Sequence, residues 1–253
     1  MTNNKLKLNN SKTEIMLFGT KSSLANVNIA SLEVAGTLIH VADGPVRNLG
    51  VILDHAMSMT PEVNRMVQSA SFHLRNIGQV RKRLTEKATK SLVQSLVISR
   101  LDYGNSLLCG LPQDLLAKLQ SVQNKAARMI TLTKRREHIT PVLKTLHWLP
   151  VDVRIDFKVL LLVYKALNGL APQYIRDLLQ EYQPSRQLRS SSRDMLEIPK
   201  SRTVRYGDRS FAVCAPKIWN NLPLAVRQCV SVSCFKSNLK THLFNLAYSH
   251  TFL

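Results

Sequence analysis

The chain has 253 residues, 45% of them hydrophobic, and a formal net charge of +19. That apolar content excludes wholesale disorder, and the length suffices for one large domain or two small ones. A positive excess of this size implies a polyanionic partner, with nucleic acid the commonest. Residues 1–60 carry 5 basic and 4 acidic side chains, 61–140 carry 14 and 5, and 141–253 carry 16 and 7. The partner surface is therefore expected after residue 60.

Residues 9–20, "NNSKTEIMLFGT", read as a buried strand with a polar lead-in, and such a strand needs sheet neighbours. "LEV" and "TLIHV" flank an Ala-Gly turn, and "DGP" punctuates before "VRNLGVILD", so three or four short antiparallel strands are expected by residue 54. The period then changes. Thr60 is a candidate N-cap, with Pro61 at the first helical position and Glu62 at the positive helix end. Val63, Met66, Val67, Ala70, Leu74 and Ile77 repeat at helical spacing.

Thr85-Glu86 opens a second helix through Leu92, Leu96 and Leu101. Pro112 and Asp114 open a third, striped by Leu115, Leu119, Val122, Ala126 and Ile130. A fourth runs from about Asp152 to Asn168 and stops at Gly169, a natural residue just past a helix end. Pro172 starts a short fifth. Residues 184–209 lack apolar periodicity and are rich in Arg, Lys and Ser, which predicts a basic linker or exposed arm. Two further helices follow, in "SFAVCAPKIWNNLP" and "SVSCFKSNLKTHLFNLAY".

The longest apolar run, "VLLLVY" at 159–164, is too short to span a bilayer, so no membrane partner is expected. Residues 1–10 show no apolar leader segment, and four cysteines without one predict free thiols in an intracellular setting. Cys229, Cys234 and His242, with Cys214 or His250, could be read as zinc ligands. Their spacing lacks the tight C-x2-C knuckle, and buried thiols are the preferred reading. No nucleophile elbow or glycine-rich phosphate loop occurs, and the seven histidines are scattered. Two-metal nucleotidyl transfer needs clustered carboxylates. The sixteen acids here include no Asp-Asp, Asp-x-Asp or Asp-x-Glu.

The basic clusters carry more. Arg81, Lys82 and Arg83 end the first helix, and Lys134, Arg135 and Arg136 end the third. Cations at helix C-termini have a structural explanation in the macrodipole. Yet Arg65, Arg75, Lys118, Lys125 and Arg128 lie on neighbouring helical faces, and so many cations repel one another without an anion between them. Phosphate contact is the expectation.

Several stretches resemble one family, the reverse transcriptases of non-LTR (LINE-type, jockey-like) retrotransposons. "NKLKLNNSKTEIMLFGT" is similar to the palm segment after their catalytic hairpin, and "VRNLGVILD" to their primer-grip hairpin. "SASFHLRNIGQVRKRLT" and "LVISRLDYGNSLLCGLPQDLLAKLQSVQNKAARMI" resemble their thumb. "HWLPVDVRIDFKVLLLVYKALNGLAPQYI" and "GDRSFAVCAPKIWNNLP" resemble the helical region beyond it. Gly104 departs from the pattern, since the family stretch often has Cys there.

The resemblance implies an RNA-directed DNA polymerase whose fingers, most of the palm and metal-binding aspartates lie outside this chain. Lys12 matches the palm lysine that acts toward pyrophosphate, and Leu49 and Gly50 match the primer grip. No cofactor is expected in the chain itself, although the intact enzyme would use Mg²⁺. The implied partners are RNA and DNA as a template–primer duplex, and the implied location is nuclear.

The expected fold is α+β and predominantly α-helical. A palm remnant with a primer-grip-like hairpin spans 1–58, and a helical thumb-like domain spans 59–135. A helical connector covers 136–183, the basic linker or arm 184–209, and a C-terminal helical segment 210–253. The expected function is template–primer binding without polymerase activity of its own. The alternatives are a co-opted nucleic-acid or protein-interaction module, or a transposon relic without function.

Overall fold

A computed structural model of the chain describes residue 9 and residues 12–183 and 194–249. Helix accounts for 58% of the structure, accompanied by two antiparallel two-stranded sheets, so the fold is α+β and predominantly helical. The chain divides into two compact units, Met1–Asn64 and Arg65–Leu253.

The first unit opens with a short helix, α1 (Lys21–Ala25), whose N-cap Thr20 accepts from the Ser23 N–H. Strands β1 (Ser31–Val34) and β2 (Thr37–His40) form a hairpin that places Leu32 opposite Ile39. Strands β3 (Val46–Asn48) and β4 (Val51–Leu53) form a second, with Val46 opposite Leu53. Both turns have two residues, and all four turn residues have positive φ: Ala35 and Gly36 in one, Leu49 and Gly50 in the other. That is the backbone hand a twisted two-residue hairpin requires.

The strand expected in "EIMLFG" is not formed. Ile15 makes a single parallel bridge to Val41, and Phe18 is half exposed. Apolar sequence alone could not supply the ladder partner that a strand needs.

Asp54 closes the unit. Its carboxylate accepts from the Ser58 and Met59 N–H groups at 3.0 and 2.8 Å, ahead of α2 (Thr60–Val80). The capping role expected of Thr60 thus passes to residues before it, and Thr60 is already helical. Buried Glu62 turns back to accept from the Ile52 N–H at 2.9 Å, tying the start of α2 to β4.

The second unit continues with α2, followed by a 3-10 turn at Arg81–Arg83. The second expected helix is α3 (Glu86–Val93), which runs through a π turn at Gln94–Ile98 into α4 (Ser99–Asp102). Thr85 caps it, accepting from the Ala88 N–H at 3.2 Å. Its buried face is Val93, Val97, Ile98 and Leu101, one position along from the expected Leu92 and Leu96. The offset is already present at Thr89 and Val93, ahead of the π turn, whose wider turn then brings both Val97 and Ile98 to the buried side.

Helix α5 (Gln113–Thr131) buries the whole expected stripe, from Leu115 to Ile130. Two short helices of this unit had no forecast, α6 (Thr140–Thr145) and α10 (Leu224–Arg227), nor did α1 in the first unit. Between α6 and α10 lie α7 (Val151–Leu167), α8 (Gln173–Arg176) and α9 (Phe211–Asn220), and α11 (Val232–Tyr248) closes the described chain.

Helix α7 is the hub, packing against α5, α8, α9 and α11. The Tyr164 ring stacks on Phe235 at 4.2 Å, beside fully buried Trp219. At its N-terminus, where backbone donors lack helical partners, Gln120 accepts from the Val151 N–H at 2.8 Å. Buried Gln123 donates to the Leu149 carbonyl at 2.9 Å.

The basic segment expected as a linker or free arm is docked where it is described. Leu196 is buried, and its backbone exchanges two hydrogen bonds with the Asn220 side chain. Arg186, Arg189 and Arg193 lie outside the described residues.

Candidate nucleic-acid interface

The interface is built at the end of α5. Its last carbonyls have no helical partners, and Arg81 supplies one. The guanidinium donates to the Met129 carbonyl at 2.7 Å, to Ile130 at 2.9 Å and to Leu84 at 2.9 Å. Gly78, a turn earlier in α2, leaves room for the Met129 side chain. Helix α3 packs against α5 from the other side. The two basic tripeptides, far apart in sequence, therefore flank one helix end.

Past that end, Leu132 takes a left-handed conformation (φ 57°) and the chain turns through Lys134, Arg135 and Arg136. Arg128 holds this turn from inside, donating to the Lys134 and Glu137 carbonyls at 2.6 and 2.7 Å. The Glu137 carboxylate accepts from the Lys134 N–H at 3.1 Å. Three hydrogen bonds from two side chains, Arg128 and Glu137, thus fix a loop that would otherwise be free to reorient.

Residues 81–90 and 125–137 together hold ten Lys and Arg against Glu86 and Glu137. Lys82, Arg83, Lys125, Lys134, Arg135 and Arg136 are exposed. Among the described residues, none of these six takes part in an ion pair. Cations gathered in two neighbouring segments without counter-charges raise the local positive potential, which salt screens over a Debye length of about 10 Å.

The expected residues divide into groups. Arg81 and Arg128 belong to the basic end, but their guanidiniums are committed to backbone carbonyls; their role is to build the surface. The structural explanation through helix ends holds for Arg81, whose planar fork suits several carbonyls at once. Arg75 and Lys118 are exposed, on α2 and α5 respectively. Half-buried Arg65 lies sixteen residues before Arg81, roughly 24 Å along the helix at 1.5 Å per residue, so it is not part of this cluster.

Lys87 and Lys90 were not foreseen. Both are exposed on α3, Lys87 in its first turn and Lys90 in its last, and they add to the positive charge that follows Arg83. Their three-residue spacing on a solvent face was the available signal.

In the first unit, Leu49 sits at the tip of the β3–β4 hairpin, 87% exposed with φ 45°, and Gly50 follows at φ 85°. A branched side chain in the left-handed region is strained. Lys12 is exposed, and its N–H donates to the Asn9 carbonyl. Gly104, where the resemblance breaks, also has positive φ (62°) and ends α4. Glycine is the residue that this conformation accepts without strain.

No cluster of three or more His, Cys, Asp or Glu able to hold a metal occurs among the described residues. No described helix is long and apolar enough to cross a membrane. Comparison of the chain with protein-family models, curated proteins and solved structures gave no match.

Proposed function

We propose that the chain is a nucleic-acid-binding portion of a non-LTR retrotransposon reverse transcriptase, the family its motifs resemble. In this reading α2 to α5 are thumb-like, and the end of α5 grips the phosphate backbone of a template–primer duplex. The observation that carries the reading is the set of exposed cations at one helix end, held in place by Arg81 and Arg128 yet without ion-pair partners among the described residues. Such contacts position a duplex and carry no sequence information, so binding is tolerant of sequence.

The first unit supports a palm origin. Phe18, Leu32, Leu38 and Leu49 are 46–87% exposed, and the strands form only two-stranded sheets. An apolar surface of this kind is what part of a larger sheet presents. The strained, exposed tip at Leu49 and Gly50 suits a primer-grip role, because strain concentrates where a backbone must meet a ligand.

The family's Mg²⁺ does not fit the donors of this chain, whose acids are dispersed and form no three-ligand group among the described residues. No step is assigned to a metal here. The chain then binds duplex without extending a primer.

The test is binding of an RNA–DNA hybrid to a variant with Lys82, Arg83, Lys134, Arg135 and Arg136 changed to Gln. The reading expects similar losses on unrelated sequences, with Arg202 and Arg205 changed as the control. Loss in the control alone would remove the end of α5 from the interface.

A further inference from the structure

Beyond that reading, the four cysteines are not scattered singly but occur as two thiol pairs. Cys109 and Cys214 are buried and close enough to influence each other's ionisation. Cys229 and Cys234 sit half-buried where α10 meets α11, both within reach of the Asn238 side-chain amide.

The second pair is held from several directions. Cys234 lies in the first turn of α11, where its N–H donates to Ser231 Oγ at 3.2 Å. One turn on, the Asn238 side-chain amide reaches both sulfurs, at 3.3 Å to Cys229 Sγ and 3.5 Å to Cys234 Sγ. The Tyr164 hydroxyl donates to the Cys229 carbonyl at 2.7 Å, and its ring stacks on Phe235, next to Cys234. The Cys229 backbone is thus anchored to the hub helix, and the two half-buried sulfurs share one amide donor. No third metal-ligating side chain joins them among the described residues.

We propose that Cys229 and Cys234 form a modification site that closes to an intramolecular disulfide on reaction with a peroxide. The Cys229 sulfur accepts from the Asn238 amide at 3.3 Å and donates to the Ala225 carbonyl at 3.6 Å, in a polar and partly exposed setting that a small peroxide can reach. The Cys229 thiolate attacks a peroxide oxygen; the O–O bond breaks, giving a sulfenic acid and hydroxide. The Cys234 thiolate then attacks the sulfenyl sulfur; the S–O bond breaks, the S–S bond forms, and a second hydroxide leaves. With the two thiol protons, the products from hydrogen peroxide are one disulfide and two waters. The Cys234 thiol is held up by its hydrogen bond to Cys229, then by burial, so it is the resolving partner rather than the attacker. In the other pair both thiols are buried; Cys109 is pushed far up and Cys214 down by their mutual interaction, so restricted access to peroxide is what slows this pair.

The test uses the full chain, reduced and then treated with hydrogen peroxide before the remaining thiols are alkylated. Cleavage after Arg227 and Lys236 releases both cysteines in one peptide, residues 228–236. That peptide should lose two hydrogens and escape alkylation at least about tenfold faster than Cys109 or Cys214 reacts. In Cys234→Ser the same treatment should leave Cys229 as a sulfenic acid that a cyclic diketone traps. Separate oxidation of Cys229 and Cys234 to sulfinic acids, or earlier closure of Cys109 with Cys214, would overturn the proposal.

Discussion

Arg81 donates from Nε to the Met129 carbonyl at 2.7 Å, linking the turn after α2 to the end of α5 across a separation of 48 residues. One guanidinium thereby ends a helix and sets the position of two basic loops. Replacing Arg81 with Ala leaves the carbonyls of Met129 and Ile130 short of a donor. Hydrogen bonds from charged groups contribute about 1.5–3 kcal/mol each, partly redundant here, so a loss of about 2–3 kcal/mol is expected in urea unfolding. Arg81→Lys keeps the charge but not the fork and should recover less than half of that.

Leu49 offers the opposite case. Its φ of 45° suits Asn or Gly far better than Leu, and its side chain is 87% exposed. Leu49→Asn should stabilise the β3–β4 hairpin by about 0.5–1 kcal/mol. If Leu49 serves as a primer grip, the same change should weaken capture of a primer terminus. A stabilised hairpin with unchanged capture would separate the turn from that role.

Asp156, on α7, titrates unusually high. Burial, with a smaller contribution from Asp152, raises its pKa from 3.8 to about 6. Between about pH 4 and pH 6 the folded chain therefore holds a proton that the unfolded chain has released. This contribution makes stability fall as pH rises through that window, with the full cost reached above pH 6. The cost is up to about 3 kcal/mol by the pKa difference, less whatever solvent screening removes. Asp156→Asn should flatten this slope between pH 4 and 6 and raise the melting temperature at pH 7. An unchanged pH profile would place the titration elsewhere.

Hydrogen exchange should separate the two units. Amides of 31–53 sit in two-stranded sheets with unpaired edges, whereas those of 115–130 line a buried helix face. Protection in α5 should exceed that in the hairpins by about two orders of magnitude or more. Equal protection would contradict the account of the first unit as part of a larger sheet.

The long helices were legible because their apolar stripes repeat cleanly. All five residues named for α5 are buried, as are five of the six named for α2, Val67 being half-buried. The first hairpin turn was legible from Ala-Gly, whereas the second, at Leu49 and Gly50, was implied only by the resemblance of "VRNLGVILD" to a primer-grip hairpin. The π turn at Gln94–Ile98 was not, since one inserted residue leaves no mark in composition. Nor was α6, whose six residues are too few to establish a period. "EIMLFG" misled because its apolar character does not say whether a ladder partner exists. At the candidate interface, the cations could be counted from sequence but not sorted. Arg81 and Arg128 look like their neighbours until the carbonyls they hold are known.

The central claim is that phosphates are held at the end of α5, and the most direct measurement is the salt dependence of duplex binding. Five contacts from Lys82, Arg83, Lys134, Arg135 and Arg136 would give a slope of log K against log salt near about −4, since each neutralised phosphate releases roughly 0.7–0.9 of a counterion. In the variant carrying Gln at all five positions the slope should approach zero, with affinity falling about equally for every sequence. An unchanged slope in a folded variant would contradict the account.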